Sequence, residues 1–162
     1  MSVKFQHFLD TFPEIELPVT LSDDTHHDFS KENLPLPPAM IEQYITHYEA
    51  SEPDEFTEYI ACFRVEPVDK DFKLVVYWKA GLLNYDYVLA TFDKGGKMLD
   101  KKAIAGTKVI KEDIKRTIAV IKEDLTIQVV EGVEQKGAIF DPEATKTRRF
   151  EVLSSGMIEQ DY

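Results

Sequence analysis

Residue types suited to chemistry crowd together in one place, Asp23-Asp24-Thr25-His26-His27-Asp28. Imidazole and carboxylate are ligands for zinc or iron, which makes His26, His27, Asp24 and Asp28 the candidate metal ligands, and a metalloprotein or hydrolase centred on His26 and His27 one functional alternative. The spacing matches no established metal motif, and adjacent residues on a strand point to opposite faces. A solvated polar loop explains the same composition, so no cofactor is expected. His7 and His47 are distant in sequence and fall on polar helix faces.

A second candidate is aromatic. Tyr77 and Trp78 precede Asn84-Tyr85-Asp86-Tyr87 across what reads as one hairpin. Cross-strand aromatic pairs stabilise a sheet by roughly 0.2–1 kcal/mol each, a sufficient structural reason for them. The rings Tyr77, Trp78, Tyr85 and Tyr87 are also of the kind that lines a small-molecule pocket or a recognition surface. Lys94-Gly-Gly-Lys lacks the length and the following helix of a phosphate loop and reads as a turn. Ser154-Ser-Gly lacks the glycine two places before the serine that a nucleophile elbow needs. The single cysteine, Cys62, lies in the apolar run Tyr59-Ile-Ala-Cys-Phe-Arg-Val and reads as a small buried hydrophobe. Glu58, Glu66 and Asp86 could pair for acid–base work, but sequence alone brings no two of them together.

The elements that must position these residues are mostly strands. Phe72 to Ala105 reads as three antiparallel strands, with Gly81 and Asn84, then Gly95 and Gly96, at the turns. The middle one presents Tyr85, Tyr87 and Leu89 on one face and Val88, Ala90 and Phe92 on the other, so both faces should be covered. Strands are expected at 57–66, 72–79, 84–93, 97–105, 115–122, 125–133, 147–153 and 157–160. Gly106 to Asp113 reads as a loop or a short helical turn. Before them, Phe5, Phe8, Leu9 and Phe12 give a helical stripe over Val3–Phe12 that Pro13 ends. Ile15–Leu21 reads as a short edge strand, with Pro18 keeping it out of the sheet centre. Pro35-Leu-Pro-Pro leads a second helix with Met40, Ile41, Tyr44, Ile45 and Tyr48 on its apolar face.

The expected fold is therefore α+β and mainly antiparallel β. It is a curved meander sheet or partly open barrel of about seven or eight strands, with two N-terminal helices packed on it and capping its concave or open side. The 162 residues make one domain, a helical and loop part over 1–50 and a β-meander over 56–162.

Charge narrows the partners. Residues 1–60 hold 13 acids against Lys4 and Lys31, whereas residues 94–122 hold nine bases against three acids, within a net charge of −11. That overall acidity argues against a nucleic-acid partner, and the basic stretch reads as solvated lysines on exposed strand edges. No apolar run approaches the roughly 20 residues of a membrane helix, so no membrane association is expected. The opening Met1-Ser-Val-Lys-Phe-Gln-His lacks an apolar signal region; taken as the native start, it predicts a cytoplasmic location. The functions left are a non-catalytic protein that neutralises a basic protein partner through acids such as Asp23, Asp24 and Asp28, and a curved-sheet protein that binds a small molecule. A monomer and a homodimer both fit.

Tyr87-Val-Leu-Ala-Thr-Phe-Asp-Lys-Gly-Gly-Lys-Met-Leu-Asp, Lys122-Glu-Asp-Leu-Thr-Ile and Phe150-Glu-Val-Leu-Ser-Ser-Gly-Met-Ile resemble a loose group of uncharacterised small bacterial β-meander proteins, over about residues 70–160. The resemblance implies a meander and brings no catalytic residues. Members of that group often carry a secretion or lipoprotein signal, which the opening here lacks. Leu34-Pro-Leu-Pro-Pro-Ala-Met-Ile-Glu-Gln-Tyr-Ile is similar to the opening of SUKH-type immunity proteins, without the short glycine motif that follows the helix there.

Overall fold

The computed structural model describes residues 3–22, 25, 35–49, 55–67, 70–134 and 146–161. In chain order these form α1 (Phe5–Asp10), β1 (Val19–Leu21), α2 (Pro38–Tyr44) with a 3-10 turn at Thr46–Tyr48, then β2 (Glu58–Val65), β3 (Phe72–Ala80), β4 (Asn84–Asp93) and β5 (Met98–Ile110). β6 (Asp113–Ile121), β7 (Thr126–Glu134), β8 (Lys146–Val152) and β9 (Ile158–Asp161) complete it. The strands make one nine-stranded sheet, a meander from β2 to β9 in sequence order with β1 paired beside β6. Every pairing between named strands is antiparallel.

Alternation along β3 and β4 sorts the core into two clusters. Leu74, Val76, Tyr87 and Leu89 share one with Ala119 and Ile121 of β6, Ile127 and Val129 of β7, and Phe150 and Val152 of β8. That sharing requires the sheet to bend back so that β2–β4 face β6–β8. Val75, Tyr77, Val88, Ala90 and Phe92 point the other way, into a cluster with Phe8, Leu9 and Phe12 and with Tyr44 and Ile45. β4 is thus covered on both faces, as its sequence demands.

Two expectations are corrected here. The helices do not cap the concave or open side; they lie on the face of β2–β4 turned away from the interior shared with β6–β8, because that is where the odd residues of β3 and the even residues of β4 present bare apolar surface. They are also shorter than expected, six residues for α1 and seven for α2. A six-residue helix without a side-chain cap does not hold itself together in water. Packing holds α1 instead: Phe8 stacks on Tyr44 at 4.7 Å between ring centres and meets Phe92 edge-on at 5.6 Å. The Arg64 guanidinium on β2 donates to the Leu9 and Phe12 carbonyls at 3.0 and 2.7 Å, satisfying groups the helix end leaves open.

β1 is an edge strand, shorter than the Ile15–Leu21 read from the sequence. It is confined to Val19–Leu21, directly after Pro18, and pairs Val19 with Ile121 and Leu21 with Ala119. β5 pairs only with the other half of β6, Asp113 to Thr117. β1 therefore takes over where β5 turns away.

Candidate functional site

β5 continues through Gly106, where the sequence suggested a break. Gly106 has φ +152°, and a side chain there would collide with the Tyr85 carbonyl oxygen and come to 3.0 Å from Asp86 Oδ1. Only glycine fits this close approach. The register of β4–β5 also shifts between Tyr87 and Val88. Beyond the irregularity, Asp86 stands opposite Gly106, Gly106 opposite Thr117, and Thr117 opposite Glu131. Four strands thus place two carboxylates and a hydroxyl in one row.

Around this row is a cavity of about 120 Å3. Its polar lining is Asp86, Lys108, Lys115, Thr117, Glu131 and Arg148, and its apolar floor includes Ile104, Val129 and Phe150. Glu131 is the anchor. Its side chain is 9% exposed, and Oε1 receives Lys115 Nζ at 3.0 Å and an Arg148 guanidinium nitrogen at 3.5 Å. The two cations come from flanking strands, two ladder positions from the row in opposite directions, and are 32% and 41% exposed, so they reach from solvent to a buried charge. Lys102 lies over the Phe150 ring at 5.2 Å, extending positive charge across the floor.

Asp86 behaves differently from Glu131. Burial pushes its carboxyl above the ordinary aspartate range, and the nearby charges of Lys108 and Lys79 offset part of that rise. Such an acid is more easily protonated in the folded protein than in the unfolded chain. Its contribution to stability is complete below the unfolded pKa of 3.8 and is lost as pH rises through the folded value. Asp86→Asn, which mimics the neutral form, should therefore stabilise the protein at pH 7 by no more than about 1 kcal/mol, given the group's partial solvent screening. The gain should vanish near pH 3. Urea midpoints at the two pH values check this, and a variant weaker than wild type at pH 7 would contradict it.

The site residues expected from sequence are distributed as follows. Tyr77 belongs to the cluster under the helices, whereas Trp78 and Tyr87 face the interior, so the four rings do not form one pocket. Trp78 and Tyr85 stack at 5.6 Å and 21°, on diagonal positions of β3 and β4. The Tyr87 hydroxyl donates to the Ser22 carbonyl at 3.2 Å and lies 2.9 Å from the Thr25 hydroxyl, pinning the segment after β1. Asp24, His26, His27 and Asp28 lie outside the described residues. Among the described residues no group of three or more His, Cys, Asp or Glu is placed to hold a metal ion. Cys62 is buried, and desolvation pushes its thiol well above the ordinary range, so it is inert as a nucleophile. Lys94-Gly-Gly-Lys is a hairpin turn, with Asp93 Oδ1 accepting from the Gly95 and Lys97 amides at 2.9 Å.

Sequence reading missed the cleft. Lys108 and Lys115 read as solvated edge lysines; Lys108 is indeed exposed, but β5 and β6 are interior strands of the sheet, and Lys115 is tied to Glu131. A larger hollow of about 610 Å3, between α2 and the β4–β5 turn and lined by His47, Tyr48 and Lys97, is a broad surface trough without buried charge. No described helix is long and apolar enough to cross a membrane. No protein-family model matches the chain, and neither a curated protein nor a solved structure is found to match it.

Proposed function

We propose that the protein is a non-catalytic binding protein that holds a small anionic molecule in the cleft of its bent sheet. The observation that carries this reading is the convergence of Lys108, Lys115 and Arg148, from three strands, on one small cavity whose buried carboxylate, Glu131, already engages two of them. Three cations, two of them held by Glu131, against Glu131 and a reluctantly ionised Asp86 leave an excess of positive charge. The apolar wall of Ile104, Val129 and Phe150 and the nearly buried Glu131 bound one side of the cleft, so an anion there is less screened than at an open lysine. Among the described residues the cleft offers no imidazole or thiol, and binding is the chemistry those residues support.

Titration calorimetry with acetate and inorganic phosphate at low salt tests the reading. Lys108→Met should weaken binding several-fold, as expected for loss of one charge-assisted contact, whereas Lys94→Met, at a turn on the surface, should leave it unchanged. Equal effects of the two substitutions would mean that the anions merely follow surface charge.

A protein partner is a second reading, and a specific feature favours it. Leu82, Leu83 and Tyr85 at the β3–β4 turn lie beside Val109 and Ile110 at the β5–β6 turn, all substantially exposed, and the Val109 amide donates to the Leu83 carbonyl at 3.0 Å. Apolar groups gathered at one end of a sheet in an acidic protein suit a protein contact better than water. The basic partner expected from the N-terminal acids remains part of this second proposal.

A further inference from the structure

We infer that the cleft selects a small zwitterion, an amino acid of a few heavy atoms, with Asp86 receiving its ammonium group and Lys108, Lys115 and Arg148 its carboxylate. The inference rests on the reading of the cleft as a ligand site and goes beyond it by assigning the second charge.

Asp86 is the reason. Its carboxyl is set over the bare backbone of Gly106 and lines the same cavity as the cations. Among the described residues nothing donates a hydrogen bond to it, and no cation lies within ion-pair distance, although Lys79 and Lys108 are close enough to influence it. Lys79 is committed elsewhere, with its ammonium 3.0 Å from Glu49. Glu131, in the same row, has two cations in contact. One carboxylate in the cleft is thus satisfied by the protein and the other is not. A partly buried carboxylate without a partner is costly, and a ligand cation placed against it relieves that cost. An ammonium alone would meet the repulsion of three basic side chains, and a carboxylate alone would leave Asp86 as it is. A ligand with both groups answers both ends. At about 120 Å3 the cavity has room for about four waters at some 30 Å3 each, which matches glycine or β-alanine.

The test titrates the full-length chain at pH 7 with glycine, β-alanine, acetate and methylammonium, following binding by calorimetry and by amide chemical shifts. At least one of the two amino acids should bind about tenfold or more tightly than acetate, and Asp86→Asn should bring the two within about twofold. A cooperative denaturation curve for Asp86→Asn establishes that the variant is folded. Acetate binding as tightly as both amino acids, or full discrimination surviving in Asp86→Asn, overturns the zwitterion while leaving the anion site standing. Neither acetate nor an amino acid binding at millimolar concentration overturns the anion site and the zwitterion together.

Discussion

Phe8→Ala is expected to destabilise the protein by about 3–5 kcal/mol, the range for removing a fully buried aromatic ring. The ring has no solvent exposure and sits at the centre of a cluster, 5.0 Å from Phe12, 4.7 Å from Tyr44 and 5.6 Å from Phe92 between ring centres. It therefore joins α1 to α2 and both to β4. Neither helix compensates for the loss: both are short, and neither is capped by the side chain of its N-cap residue. If α1 loosens, the Arg64 guanidinium loses its two carbonyl acceptors, and burying that group without them adds to the cost. Urea denaturation measures the effect. A loss below about 1 kcal/mol would mean that the helices are accessory to the sheet.

The second large effect belongs to Gly106. Gly106→Ala should cost about 3 kcal/mol or more, because it combines a backbone conformation that L residues rarely adopt with a collision against the Tyr85 carbonyl. Strain of this kind cannot be relieved by moving a side chain; β4 and β5 must separate. The separation occurs where Asp86 meets β5, so the variant should also lose binding in the cleft in whatever fraction remains folded. Gly81→Ala is the matched comparison. Its nearest neighbour would be an ordinary contact of 3.7 Å at the Asn84 carbonyl and its φ is not positive, so a change within about 0.5 kcal/mol is expected. Equal losses at the two glycines would argue that the β4–β5 approach at Gly106 is not a constraint on the fold.

The strands were largely legible before the structure. β4 spans Asn84–Asp93, matching 84–93, because Gly81 with Asn84 and Gly95 with Gly96 punctuate it on both sides. β5 was not legible beyond Ala105, since Gly106 reads locally as a breaker; its role inside a strand depends on Tyr85 across the ladder, which no local pattern reveals. The side chosen by α1 was equally hidden. An apolar stripe states that a helix must be covered, and only the bend of β2–β4 over β6–β8 decides which face of β4 is left for it. The cleft depends on three registers at once. Asp86, Thr117 and Glu131 are 14 to 45 positions apart in the chain and meet only when β4–β5, β5–β6 and β6–β7 are all aligned. The aromatic candidates were read from a real hairpin, but period-two alternation puts Tyr77 on the face opposite Trp78.

Anion binding in the cleft is tested most directly by amide chemical shifts of isotopically labelled protein during an acetate titration. Bound acetate should move the amides of Asp86, Gly106, Thr117, Glu131 and Arg148 together along one saturating curve, and Lys108→Met should flatten that curve. Small, unsaturating shifts spread over exposed lysines such as Lys94, Lys97 and Lys111, with those five amides silent, would contradict a site in the cleft.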